Sequence, residues 1–186
     1  AASDVYKRQL LELGKLTREE VLVRRYEILF QEVGMSCDAK KISEKYEDFL
    51  GEGHYFIPGA KELLEDLSKK YHLYLASNGA VKVQMSRIQS AGIEKYLEKI
   101  FLSEQIGYEK PSPQFFEKCF AKIPDFKKEE ALILGDSLTS DIRGGKNAGI
   151  LTVWFHPSGK KVEEESVPDY EIGKLEELKT ILSFYS

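Results

Sequence analysis

The sequence predicts an α/β fold on a parallel sheet, and three observations predict it. Beyond Tyr55, short apolar segments alternate with segments of helical period, the signature of crossover units on parallel strands. The segment from Ala131 to Gly135 is apolar throughout, as a strand covered on both faces should be. Polar clusters, Ser77-Asn78-Gly79 and Gly135-Asp136-Ser137, directly follow apolar runs, at the strand ends where open parallel sheets bind ligands. A chain of 186 residues makes one domain with a small appendage. Folding at this size hides roughly 70% of the unfolded surface, so no disulfide or structural metal is needed.

Residues 1–9 show neither a helical stripe nor strand alternation, and the first residue is Ala, so they are set aside as a probable non-native leader. Residues 10–53 read as a helical module, partial at its start. Thr17 and Glu20 form a capping box, Val21, Ile28 and Leu29 mark one helix face, and Gly34 ends the helix. Asp38 caps a second helix expected to turn Ile42, Tyr46, Phe49 and Leu50 inward, and residues 51–54 (GEGH) supply a hinge. Residues 54–186 are the α/β core. Pro58 and Gly59 open a helix, and residues 72–76 form a strand ending at Ser77. The Asn78-Gly79 pair suits a hairpin, but Val81, Met85, Ile88 and Ala91 follow at helical spacing and make this a strand-loop-helix junction. Residues 100–103 form a second strand, Ser112 caps and Pro113 starts a helix holding Phe115, Phe116 and Phe120, and residues 131–135 form a third strand. A helix over 139–148, a strand over 150–155, a short strand over 170–172 and a last helix from Lys174 complete the order.

Charge and composition exclude several classes. With 27 Lys+Arg against 31 Asp+Glu and a net charge of −4, the chain lacks the basic surface by which nucleic-acid polymers are held. No apolar run approaches the roughly 20 residues that span a bilayer, so no membrane partner is expected. Cys37 and Cys119 stand apart without a CxxC or Cys/His cluster, which fits a reducing compartment, and with no secretory segment the cytoplasm is the expected location.

Three strand ends carry candidate chemistry. Ser77 and Asn78 offer a hydroxyl and backbone N–H groups near a helix start, suited to an anion, although plain helix capping accounts for them equally. Lys110 lies in a loop that starts another helix. A surface lysine is ordinarily just solvated, yet an ammonium 4 Å from a phosphate oxygen would gain about 4 kcal/mol at an effective dielectric near 20. Asp136 and Asp141 straddle the junction between a buried strand and a helix. Two carboxylates placed together repel unless a hard cation with oxygen ligands, such as magnesium, lies between them. Trp154, Phe155, Phe115 and Phe116 read as core, residues 160–165 as a solvated charged loop, and His54 as a lone histidine beside the hinge.

In combination these strings resemble the second, third and fourth motifs of the haloacid dehalogenase superfamily: Leu75-Ala76-Ser77-Asn78-Gly79, then Glu109-Lys110-Pro111-Ser112-Pro113, then Gly135-Asp136 with Asp141, Gly144, Gly145 and Gly149. The helical module resembles that family's inserted cap, and residues 13–20 with Ser77-Asn78-Gly79 look most like its pyrimidine 5′-nucleotidase branch. The resemblance implies a Rossmann-like parallel sheet of the haloacid dehalogenase type with an α-helical cap and a magnesium-dependent phosphatase activity passing through an aspartyl-phosphate. The substrate it implies is a small phosphorylated metabolite, a nucleoside 5′-monophosphate or another phosphoester. It implies that Ser77 and the Asn78 backbone hold the phosphoryl group, that Lys110 is the catalytic lysine neutralising it, that Asp136 ligates magnesium and that Asp141 supports the metal or Lys110. The family's first motif, an Asp-x-Asp carrying nucleophile and general acid/base, is missing before Leu10. The chain is therefore expected to lack its first, central strand, between the strands at Leu73 and Leu132, and to be inactive as given. A sugar-phosphate phosphatase or phosphomutase shares the same motifs, a metal-free dehalogenase is disfavoured by the two aspartates, and a non-catalytic module that binds a phosphorylated ligand is the alternative of another class.

Overall fold

The structure is a computed structural model that describes residues 18–159 and 166–185. The proposed leader, Thr17 of the capping box and the charged loop at 160–165 lie outside the described residues. The chain divides into two compact units, one comprising the described residues up to His54 with Lys82–Ser90, the other comprising Tyr55–Val81 and the described residues from Ala91 onward.

In the first unit, helix α1 (Arg18–Glu32) is followed by Gly34 in the left-handed region, and helix α2 (Ala39–Glu52) follows. Asp38 caps α2 as its side chain accepts the Lys41 N–H at 3.0 Å. The two helices meet where Tyr26 and Tyr46 stand edge to face and the Arg25 guanidinium lies over both rings. The inward face expected for α2 is overturned: Ile42, Tyr46, Phe49 and Leu50 are exposed, whereas Ala39, Ser43 and Gly51 are buried. The reason is close packing through small residues. At Gly51, Ser86 comes close enough for its hydroxyl to donate to the Gly51 carbonyl at 2.8 Å.

The second unit holds the sheets. Helix α3 (Ala60–Leu67) precedes strand β1 (Tyr74–Ser77), and helix α4 (Val81–Ala91) begins within this unit, where the Glu104 carboxylate accepts the Val81 N–H at 2.8 Å. Strand β2 (Lys99–Leu102) runs parallel to β1. A short helix α5 (Ser103–Ile106) leads to helix α6 (Pro113–Phe120). Pro113 starts α6 as expected, but Ser112 makes no capping bond; its hydroxyl donates to the Gln114 amide oxygen at 2.5 Å instead. Strand β3 (Leu132–Gly135) passes through a π-helical turn (Leu138–Ile142) into helix α7 (Arg143–Ala148). Strands β4 (Leu151–Phe155) and β5 (Tyr170–Ile172) and a final helix α8 (Leu178–Leu182) follow.

All described strand pairs are parallel, ordered β1-β2 in one sheet and β3-β4-β5 in the other, which confirms the α/β class. Alternation along β3 and β4 assigns the faces. Val153, Phe155, Leu132 and Leu134 pack with Leu63, Leu175, Leu178 and Ile181 on one side, while Ile133 packs with Phe115, Phe116, Ala148 and Ile150 on the other. Tyr74 and Ala76 of β1 join that second cluster, so α6 sits over strands of both sheets. Each of β1 and β3 has one strand partner among the described residues and is half-buried along its length, unlike β4. Within the described residues, no helix is long and apolar enough to cross a membrane.

Candidate active site

At and past the carboxyl ends of β1 and β3, Ala76, Asn78 and Asp141 all bond Lys110, which is the pivot. Its loop lies at the start of α6, yet the side chain is buried, 8% exposed, contrary to the ordinary fate of a surface lysine. Its ammonium donates to the Ala76 carbonyl at 2.7 Å and to Asp141 Oδ1 at 2.6 Å. The third ammonium N–H is not taken up by any described residue. Asp141, 10% exposed, accepts the Ser137 N–H through its other oxygen, Oδ2, at 3.1 Å. Both of its oxygens are thus engaged, and of the two roles implied for Asp141, support of Lys110 is the one its hydrogen bonds match. A buried ion pair of this kind is costly to break from one side, about 3–5 kcal/mol, because the partner is left charged in a dry place.

Ser77, the last residue of β1, accepts the Gly79 N–H on its Oγ at 3.0 Å, which leaves its own O–H as a donor. The Asn78 side chain does something the sequence reading did not foresee. Its amide oxygen accepts the Lys110 N–H and its amide nitrogen donates to the Lys110 carbonyl, both at 2.9 Å. No spacing rule pairs two loops 32 residues apart, so only tertiary structure could reveal it.

Asp136 is exposed just past β3. Its carbonyl accepts the Trp154 indole N–H at 3.0 Å, while its carboxylate makes no hydrogen bond or ion pair with the described residues. Trp154, read as core, therefore also fixes the backbone at Asp136. In the turn that follows, Ser137 Oγ accepts the Ser140 N–H and lies 3.3 Å from Thr139 Oγ1. A carboxylate left unpaired by the described residues offers the hard oxygen donor that a cation such as magnesium takes. Among the described residues no group of three or more metal-ligating side chains gathers, so Asp136 would hold such an ion with waters or ligands from elsewhere. His54 lies in the other unit and bonds Ser90.

Glycines set the close approaches. A Cβ at Gly135 would lie 2.3 Å from the Asp141 Cβ, one at Gly144 2.6 Å from the Phe116 ring, and one at Gly145 2.5 Å from Ile133. Gly145 is thus explained by helix α7 lying on the sheet, Gly144 by its approach to Phe116 of α6, and Gly135 by the Asp141 side chain folding over the end of β3.

Parallel strands whose carboxyl ends gather a buried ammonium, a serine hydroxyl and an unpaired aspartate define a Rossmann-like α/β protein with a charged rim. A family model for haloacid dehalogenase-like hydrolases matches residues 3–155, and the chain belongs to that family. YfnB of Bacillus subtilis (strain 168), a HAD-hydrolase by name, is 42% identical over 172 residues, which cover 92% of this chain and 73% of YfnB. The pyrimidine 5′-nucleotidase PynA of Streptococcus pneumoniae is 36% identical over 169 residues, 90% of this chain and 71% of PynA. The crystal structure of YfnB bound to magnesium matches with a TM-score of 0.91 at 40% identity, covering 97% of this chain and 78% of that one. As a member of this family the protein is a hydrolase.

Proposed function

We propose that the rim hydrolyses phosphoric monoesters, with pyrimidine nucleoside 5′-monophosphates as the substrate class and magnesium as the cofactor, in the cytoplasm. The observation that carries this reading is Lys110: a buried ammonium, fixed by Ala76 and Asp141, with one N–H that no described residue takes up, at the carboxyl end of β1. A phosphoryl group there would accept hydrogen bonds from Lys110 Nζ and the Ser77 hydroxyl, which together offset its charge and orient it. Asp141 holds the ammonium in place through the bond to its Oδ1. Asp136 would hold the magnesium ion, which when bound offsets charge on the phosphoryl oxygens. The domain division of cap (10–53) and core (54–186) belongs to the same reading.

The covalent route implied by the family resemblance needs an aspartate nucleophile and a second aspartate as acid and base. A strand bearing them would find its pairing positions along the edges of β1 and β3 that no described strand pairs. The nucleotide preference draws on the 36% identity to the nucleotidase PynA. The test adds an upstream strand ending in Asp-x-Asp and measures phosphate release from uridine monophosphate and from sugar phosphates, with and without magnesium. Magnesium-dependent release, fastest from the nucleotide and abolished by Asp136→Ala, is expected. Release undiminished in Asp136→Ala contradicts the metal role, and faster turnover of sugar phosphates contradicts the substrate class.

A further inference from the structure

We infer that the Asn78 side chain is the positioning residue for Lys110, clamping its backbone so that the ammonium is presented at the rim; the inference rests on the phosphatase reading only for what the ammonium is presented to. The amide meets the Lys110 N–H and carbonyl at 2.9 Å each, so one side chain satisfies both polar groups of a single backbone residue. Its orientation is fixed chemically, since a flipped amide would set nitrogen against N–H and oxygen against carbonyl. Only an amide places donor and acceptor side by side in this way; an aspartate of the same size keeps the acceptor and sets a carboxylate oxygen against the Lys110 carbonyl.

The residue after Lys110 is Pro111, which brings no backbone N–H to anchor the loop. The bond from Lys110 Nζ to the Ala76 carbonyl at 2.7 Å runs the other way across the same gap. Three hydrogen bonds therefore close a ring from Ala76 through Asn78 to Lys110 and back. Asp141 holds only the tip of a long, flexible side chain, whereas Asn78 holds its root. Because Asn78 directly follows Ser77, the clamp also sets the distance between hydroxyl and ammonium. A misplacement near 1 Å in such a pair weakens a catalytic arrangement by as much as about a hundredfold.

The experiment uses the full chain and the variants Asn78→Ala and Asn78→Asp. Lys110 is labelled with an amine-acetylating reagent and read by peptide mass spectrometry against Lys69, which is exposed and serves as an internal standard. Inorganic phosphate affinity is measured by calorimetry in magnesium buffer, and urea unfolding checks that each variant is folded. Labelling of Lys110 relative to Lys69 is expected to rise roughly tenfold or more in Asn78→Ala, with phosphate affinity falling about tenfold. Asn78→Asp, of nearly the same size, is expected to raise labelling as well, and it decides the matter if Asn78→Ala fails to fold. Unchanged Lys110 labelling in the folded variants overturns the inference. A wild-type chain that binds no phosphate, with labelling still raised in the variants, leaves the clamp standing and contradicts the phosphatase reading instead.

Discussion

Gly135 has no room for a side chain, because an added Cβ would meet the Asp141 Cβ at 2.3 Å and its carboxylate at 2.4 Å. Gly135→Ala is therefore expected to lower stability by about 1–3 kcal/mol in urea unfolding, and to loosen Lys110 by displacing its carboxylate partner. The thiols make a simpler case. Cys119 is on the buried face of α6, where loss of water pushes its pKa up to about 12, whereas Cys37 is exposed. A thiol reagent at pH 8 should modify one cysteine per native chain and both after unfolding; rapid modification of two in the native protein would contradict the burial of Cys119. At this scale the sequence was partly legible. Ser77, Asp136 and Asp141 stood out because they lie at or just past a strand end, where side-chain chemistry is exposed to ligand, and Lys110 because its loop starts a helix. Asn78 as a clamp and the Trp154 indole as a donor to the Asp136 carbonyl were hidden, since both act on residues distant in sequence.

Among the elements, β4 and β5 are tied by Asp169, whose Oδ2 accepts both the N–H and the hydroxyl of Thr152 and whose Oδ1 pairs with Lys146. Burial acts to raise its pKa, but the Lys146 and Thr152 bonds outweigh it and hold the carboxyl below its ordinary 3.8. The folded chain then binds fewer protons here than the unfolded chain below that value. Its contribution is accordingly full above pH 3.8 and is lost as the pH falls through the lower folded value. Comparing unfolding of the protein and Asp169→Asn across acid pH should show a gap that is constant above about pH 5 and shrinks below about pH 4. A gap independent of pH would contradict the pairing. The strands were legible in the sequence because apolar runs bounded by glycine and polar residues leave little alternative, as at residues 131–135 and 170–172. The inner face of α2 was not legible: large apolar side chains signal burial in general, but here small residues make the contact and Phe49 stays 61% exposed.

The whole molecule owes its rim to topology. Parallel strands place their carboxyl ends on one side, so residues as separate in sequence as Ala76, Lys110 and Asp141 meet without any local signal linking them. One cluster of aromatic and aliphatic side chains, built around Phe115 and Phe116, packs against β1, β2 and β3 alike and holds the two sheets' ends together. Fold class and family were legible because crossover alternation and strand-end motifs both survive as sequence patterns. The sheet order was not legible, because which strand edges pair depends on contacts between segments far apart in the chain. The most direct test of the account is to follow the backbone amide and lysine side-chain resonances of the isotopically labelled chain while titrating inorganic phosphate, then magnesium. The account predicts saturable shifts at Ser77, Asn78 and Lys110 with phosphate and at Asp136 with magnesium; binding whose shifts bypass Ser77, Lys110 and Asp136, or no saturable binding, would contradict it.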